Sequence, residues 1–231
     1  LRYLSQKEDE SWTERTVYIK PESFSGGSPA SLLSGTAVTT VLRHIKSSQT
    51  GFILIRRDDE IEVIEPPIPV PMDAIMENQD LLLLEEMFDY LPKVGVILLR
   101  LGRFAVAVLK GEEIIASKTE RRHVKNRHRA GGSSQRRFER SRERLVRELY
   151  DKTCAVTKDI FETRAGPVEH IFLGGEKHTL NGFKKRCTFL KKMEDKVMTR
   201  ILHVNQPNQS SLQSIHEDVF SSRLRTFEIS V

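Results

Sequence analysis

The segment from Arg127 to Phe138 carries the residues whose types and spacing are best suited to chemistry. Two adjacent glycines, Gly131 and Gly132, let a backbone enter a narrow space and adopt positive-φ conformations that side chains forbid. Gln135 offers one acceptor and two donors that do not titrate, which suits it to orient a water molecule rather than to remove its proton. The alternative is a flexible linker before a solvated helix, and the glutamine alone does not favour chemistry over that alternative.

Positive charge is concentrated around this segment. Residues 121–147 contain 11 Lys and Arg against two Glu, a net charge of +9, whereas the whole chain carries +5 and the other 204 residues carry −4. Charge segregated in this way favours a polyanion-binding element. The candidate RNA-binding side chains are Arg121, Arg122, Lys125, Arg127, His128, Arg129, Arg136, Arg137, Arg140 and Arg144.

Length and composition exclude several classes of protein. With 231 residues the chain is long enough for one or two domains. Its apolar runs, such as Val94–Leu99, are far shorter than the roughly 18 to 20 residues that span a bilayer, and the first residues lack the pattern of a secretory signal. The two cysteines, Cys154 and Cys187, have no ligand-spaced Cys or His beside them. We therefore expect thiols rather than a disulfide scaffold or zinc knuckle, and a cytoplasmic protein without membrane contact.

Residues 1–92 are expected to form a small α/β unit. The β-rich runs Gly51–Ile55 and Glu60–Ile64 flank a turn and predict a hairpin. The proline-rich run from Pro66 to Pro71 excludes helix and central strand, so it should be extended. A helical pattern follows, and Pro92 ends it. We place a domain boundary there.

A different pattern begins after Pro92. Three β-rich runs joined by very short turns, Val94–Arg100, Arg103–Lys110 and Glu112–Lys118, predict an antiparallel meander. From Gln135 onward, apolar residues recur with the spacing of one helix face: Phe138, Leu145, Leu149, Val156 and Ile160. The sequence therefore predicts a long helix directly after the glycine-containing loop.

The rest of the chain predicts further strands and helices, in the order strand Val168–Leu173, Lys-rich helix Leu180–Lys196, strand Arg200–Val204 and final helix Leu212–Arg223. For the basic residues of the predicted Lys-rich helix, contact with RNA and a solvated helix face are equally open. The predicted fold class is α/β (α+β), a mixed sheet with an N-terminal antiparallel meander and flanking helices, beside the small α/β unit.

The stretch from about Val94 to Gly182 resembles the middle domain of the eukaryotic and archaeal class-I peptide-chain release factors. The matching pieces are the strand meander, Gly131-Gly132, the helix start Arg137-Phe138-Glu139-Arg140-Ser141-Arg142, and the apolar strand His170-Ile171-Phe172-Leu173-Gly174-Gly175. The resemblance implies an RNase H-like fold. It also implies that residues 93–231 are a release-factor-like catalytic domain and residues 1–92 an accessory domain.

One departure from that family concerns the glutamine. Release factors carry Gly-Gly-Gln without interruption, whereas Ser133 and Ser134 here separate Gly132 from Gln135. If this segment is aligned with the release factors without a gap, Ser133 falls at the position of their glutamine. The pattern is similar to the release-factor-like peptidyl-tRNA hydrolases of ribosome-associated quality control, in which the glutamine is displaced from the glycines. Which of Ser133, Ser134 and Gln135 occupies the catalytic position stays open.

The resemblance implies a peptidyl-tRNA hydrolase that acts at the large ribosomal subunit. Its partners would be ribosomal RNA and peptidyl-tRNA, and its catalytic set would be Gly131, Gly132, Ser133, Ser134 and Gln135. Two alternatives remain: cleavage of the tRNA near its acceptor end, and a non-catalytic RNA-binding module. No cofactor is expected. A metal nuclease site is disfavoured because the runs Val94–Arg100 and Phe104–Leu109 lack carboxylates.

Overall fold

The computed structural model describes residues 16–25, 41, 45, 47–57, 60–76, 82–124 and 133–228. In chain order the helices and strands are β1 (Thr16–Ile19), α1 (Pro21–Ser25), β2 (Phe52–Arg57), β3 (Glu60–Glu65), β4 (Ala74–Met76), α2 (Leu82–Asp89), β5 (Lys93–Arg100), β6 (Arg103–Lys110), β7 (Glu113–Arg121), α3 (Ser133–Lys158), a π-helical turn (Asp159–Arg164), β8 (His170–Gly175), α4 (Lys177–Arg186), α5 (Thr188–Lys191), a 3-10 turn (Glu194–Lys196), β9 (Val197–Leu202), α6 (Gln209–Gln213), α7 (Ile215–Val219) and β10 (Arg223–Glu228). The chain divides into two compact units, Leu1–Tyr90 with Phe220–Val231, and Leu91–Val219.

The first unit is built on an antiparallel sheet with strand order β10-β3-β2-β1-β4. Successive side chains of a strand point to opposite faces. Accordingly Tyr18 and Ile53 pack with α2 in one apolar cluster, whereas Ile19 and Leu54 belong to a second cluster. The predicted hairpin is confirmed as β2 and β3. The proline-rich crossing after it forms neither helix nor strand, as predicted.

The last strand corrects the prediction for the C-terminal part of the chain. A single helix over Leu212–Arg223 is wrong, because two short helices, α6 and α7, are followed by β10. β10 pairs along its whole length with β3, so this segment belongs to the first unit and not to a domain spanning 93–231. The physical reason is a contact between residues distant in the chain, which the local pattern does not show: Phe227 of β10 packs against the apolar cluster of the first unit that contains Ile61 and Val63.

The second unit contains the predicted meander and mixed sheet, and the α+β fold class is confirmed. Its strand order is β7-β6-β5-β8-β9. β5, β6 and β7 are antiparallel, whereas β8 runs parallel to β5 and β9 parallel to β8. The interior of β5 from Val94 to Leu99 is fully buried. This sheet and the second half of α3 form the core of the unit.

The predicted Lys-rich helix over Leu180–Lys196 is broken. α4 ends at Arg186 and α5 begins at Thr188, because Cys187 between them adopts an extended conformation with ψ of 99°. The Leu190 N–H donates to Cys187 Sγ at 3.4 Å, which caps α5. The chain thus turns at a buried residue rather than continuing as one solvated helix.

Cys154 and Cys187 form a disulfide, so the prediction of thiols is wrong. Their Cα atoms are 5.4 Å apart and Cys187 is 1% exposed. The bond joins α3 to the junction of α4 and α5. A count of two cysteines with 32 residues between them carries no information about their distance in the fold, so the sequence could not reveal the pairing.

Removal of the disulfide should lower the free energy of unfolding by about 3 to 4 kcal/mol, because a cross-link over a sequence separation of 33 restricts the unfolded chain. Urea denaturation with and without dithiothreitol measures this. The double variant Cys154→Ala, Cys187→Ala is the matched control and should not respond to reductant. Two titratable thiols in the purified protein, with no shift on reduction, would contradict the prediction.

Gly95 in β5 should resist substitution. A Cβ at this position would lie 2.7 Å from Phe161 Cε2, and Phe161 is buried in the core of the second unit. Gly95→Ala should therefore destabilise the fold by about 1 to 3 kcal/mol through overpacking. The double variant Gly95→Ala, Phe161→Leu should lose less stability than the two single losses combined. Additive losses in urea denaturation would show that this contact does not set the cost.

Candidate functional site

The candidate site lies where the chain passes from β7 to α3. Of its predicted members, Gly131, Gly132, Lys125, Arg127, His128 and Arg129 lie outside the described residues. The described chain stops at Val124 and resumes at Ser133, which is already α-helical. Ser134 and Gln135 follow in the first turn of α3. The structure therefore brings Ser133, Ser134 and Gln135 together at a helix start, where backbone N–H groups and the helix dipole favour negative charge.

Gln135 is held by a residue that the sequence analysis did not single out. Its Nε2 donates a hydrogen bond to Glu139 Oε1 at 3.1 Å, one turn further along α3. A carboxylate only accepts hydrogen bonds, so the NH₂ end of the amide faces Glu139 and the Oε1 end faces away. Among the described residues, no group donates to Gln135 Oε1. The spacing of four residues is the signal that could have identified Glu139.

The first turns of α3 expose several cations. Arg136, Arg137 and Arg140 are exposed, and none of them forms an ion pair within the described part of the chain. Arg144 is paired with Glu148 at 3.3 Å. Exposed pairs of this kind contribute only about 0.3 to 0.5 kcal/mol and leave the guanidinium available to another anion.

The first half of α3 stands clear of the core of its unit. From Gln135 to Glu148 every side chain is exposed or half-buried, and Leu149 is the first fully buried residue. At about 1.5 Å per residue, these 14 residues span roughly 21 Å. The predicted apolar stripe is thus correct from Leu149 onward and wrong for Phe138, which is 48% exposed. Periodicity shows which residues share a face, but not whether other residues cover that face.

The second half of α3 is firmly attached. Arg186 of α4 donates two hydrogen bonds to the carboxylate of Asp151, at 2.6 and 2.7 Å. These bonds hold the pKa of Asp151 below its usual range, so the pair is charged at neutral pH. The Cys154–Cys187 disulfide lies one turn further along. The helix that begins at the candidate site is therefore fixed at its opposite end.

The end of β7 is also fixed to α3. Glu120 accepts a hydrogen bond from Arg122 Nε at 2.8 Å and pairs with Lys152 of α3 at 3.9 Å. The Arg122 N–H donates to the Gly102 carbonyl at 2.8 Å. Arg121 beside it is exposed. Glu120 therefore partly neutralises one predicted RNA contact, Arg122, while it holds together the two elements that flank the loop.

Two kinds of feature do not occur in the described part of the chain. Among the described residues there is no group of three or more His, Cys, Asp or Glu side chains that could hold a metal ion. None of the described helices is long and apolar enough to cross a bilayer.

Archaeal peptide chain release factors are similar in sequence to this chain. The chain is 30% identical over 155 residues to peptide chain release factor subunit 1 of Methanopyrus kandleri, covering 66% of this chain and 37% of that protein. The same factor of Archaeoglobus fulgidus is 27% identical over 192 residues, covering 78% and 47%. The chain thus spans about half or less of these relatives.

Similarity to solved structures is weaker. The crystal structure of the archaeal translation termination factor aRF1 aligns with a TM-score of 0.42 and 15% identity, covering 91% of this chain and 66% of that one.

The family assignment comes from a sequence model described as the Actinobacteria/chloroflexi VLRF1 release factor, which matches residues 92–225. That match covers more than half of the chain, including β5 to β9 and the whole candidate site. The chain belongs to this VLRF1 family of release factors.

Proposed function

We propose that this protein is a peptidyl-tRNA hydrolase of the release-factor type that frees nascent chains on the large ribosomal subunit. The observation that carries the proposal is the geometry at the start of α3. Gln135 follows the Gly-Gly loop with its amide oriented by Glu139, beside exposed arginines and about 21 Å of helix away from the first fully buried residue. Family membership supports the same reaction class.

In the proposed mechanism the basic loop enters the peptidyl-transferase centre. Gly131 and Gly132 allow the backbone to approach RNA closely, and Arg136, Arg137 and Arg140 contact phosphates. Gln135 Oε1 accepts a hydrogen bond from the attacking water and positions it. Water adds to the ester carbonyl, and the bond to the ribose oxygen breaks. The products are a peptide acid and a tRNA with a free terminal hydroxyl.

Two further parts of the proposal concern the rest of the chain and its setting. Ribosomal RNA supplies much of the electrostatic stabilisation, so the isolated protein should be nearly inactive. The first unit serves as an accessory unit, and the protein works in the cytoplasm, where ribosomes and peptidyl-tRNA meet. No cofactor takes part.

A non-catalytic ribosome-binding module is the second candidate. It is favoured by the position of Gln135, which lies within the helix and not directly after the glycines. Such a protein would keep the arginines and their salt-dependent binding, and would release no peptide.

Gln135→Ala should slow peptide release from stalled large subunits by about 100-fold, because the water loses its orienting acceptor. Gly132→Ala should also slow it by hindering close approach. Gln213→Ala, which removes an exposed helical glutamine in α6, is the matched control and should leave release unchanged. Subunit binding is followed by sedimentation, and the tRNA product is sized on a gel. If both site variants bind subunits normally and release peptide as fast as the wild type, the catalytic assignment of Gln135 and Gly132 fails, and a shortened tRNA would indicate tRNA cleavage instead.

Glu139→Ala should lower the release rate about tenfold without weakening subunit binding, because Gln135 loses the acceptor that orients its amide. Glu139→Gln should restore most of the rate, since its amide oxygen can accept the same hydrogen bond. The matched control is Glu143→Ala, which removes the same charge one turn further on and disrupts only the exposed pair with Arg147. Equal effects of Glu139→Ala and Glu143→Ala on the release rate would show that Glu139 acts only through its charge and not by orienting Gln135.

A further inference from the structure

A second run of positive charge lies outside the candidate site. Residues 177–192 contain six basic and no acidic side chains. They are Lys177, Lys184, Lys185, Arg186, Lys191 and Lys192. The net charge of −4 for all residues outside 121–147 conceals this run, which extends from the start of α4 to the residue after α5.

Three of these lysines converge on one depression of about 380 Å³. Lys184, Lys185 and Lys191 line it together with Asn181 and one carboxylate, Glu194. We call Lys184, Lys185, Lys191 and Asn181 the lysine surface. Among the described residues none of the three lysines forms an ion pair. A hydrated ammonium on a flexible stem acts as a point charge, which suits contact with phosphate oxygens of varied geometry.

Helix capping does not account for this arrangement. Cations near a helix C-terminus complement the dipole of that helix, which explains one or two lysines at the end of α4. α5 has only four residues and a correspondingly small dipole, yet it places Lys191 in the same depression as the lysines of α4. Three lysines and a single carboxylate line the depression, and this excess of positive charge favours an external anion.

The lysine surface and the basic start of α3 belong to one body. Arg186, between Lys185 and Cys187, is bonded to Asp151, and Cys187 is bonded to Cys154. Asp151 lies 16 residues after Gln135, which is about 24 Å along the helix axis. An anion that meets both surfaces must extend over this distance. A nucleic-acid strand, with a charge every few ångströms, has that property.

We infer that the lysine surface is a second RNA-binding surface, which holds phosphates of ribosomal RNA while the loop before α3 reaches its substrate. The choice of ribosomal RNA as the polyanion rests on the proposed function. The inference does not depend on whether the chain catalyses peptide release. Its contacts are to the backbone and therefore carry no base specificity.

The test compares two charge reversals of equal size. Lys185→Glu with Lys191→Glu changes the lysine surface, whereas Lys110→Glu with Lys118→Glu changes two exposed lysines on β6 and β7. Binding to large ribosomal subunits and to an RNA hairpin of arbitrary sequence is measured over a series of salt concentrations. Only the first variant should bind severalfold more weakly, and its slope of log affinity against log salt should fall by about 1 to 2. Unchanged urea midpoints confirm that both variants fold.

Each other outcome overturns the inference. Equal losses in the two variants would show a general effect of net charge, and no loss in either would show a solvated helix face. If the first variant lost binding to polyglutamate and kept binding to RNA, the surface would serve an acidic protein instead. Peptide release at saturating subunit concentration separates this result from the proposed function: the first variant should release peptide normally, whereas absence of release by the wild-type protein would refute the proposed function alone.

Discussion

Burial of the second half of α3 against the mixed sheet is the constraint on which the candidate site depends. In α3, Leu149 and Thr153 are fully buried, and Phe161 in the π-helical turn that follows packs over β5 at the position of Gly95. Any side chain larger than hydrogen at Gly95 would meet the ring. A helix is stiff, so the packing of its buried end also determines the direction of its exposed end.

Acidic side chains near the site fix geometry and add little to stability. Glu120 links the end of β7 to α3, Asp151 links α3 to α4, and Glu139 orients the amide of Gln135. Each of these side chains is at least partly exposed, where such interactions contribute at most about 1 kcal/mol. They hold two elements and one amide in place, and within the described part of the chain Arg136, Arg137 and Arg140 form no ion pair.

Local patterns in the sequence were enough to predict the β2–β3 hairpin, the meander and the helix after the loop, because each depends on residues close together in the chain. Pairing between distant residues was not predictable in this way. β10 joins a strand about 160 residues earlier, and Cys154 meets Cys187 only through the packing of α3 on α4. Phe138 lies on the predicted face of its helix, yet it is 48% exposed, because periodicity does not show how far along the helix that face is covered.

The two serines between the glycines and Gln135 do more than lengthen the loop. Ser133 is already helical, so a displacement of two residues turns a side chain by about 200° around the helix axis. Positions 133 and 135 therefore lie nearly opposite each other around the axis of α3. A glutamine directly after the glycines would leave the helix in a different direction from Gln135. The two glutamines could reach the same ester only if the helix and its preceding loop entered the peptidyl-transferase centre at different angles. The hydrogen bond to Glu139 fits the arrangement with glutamine at position 135, because this bond orients the amide from within the helix and needs no contact with the loop.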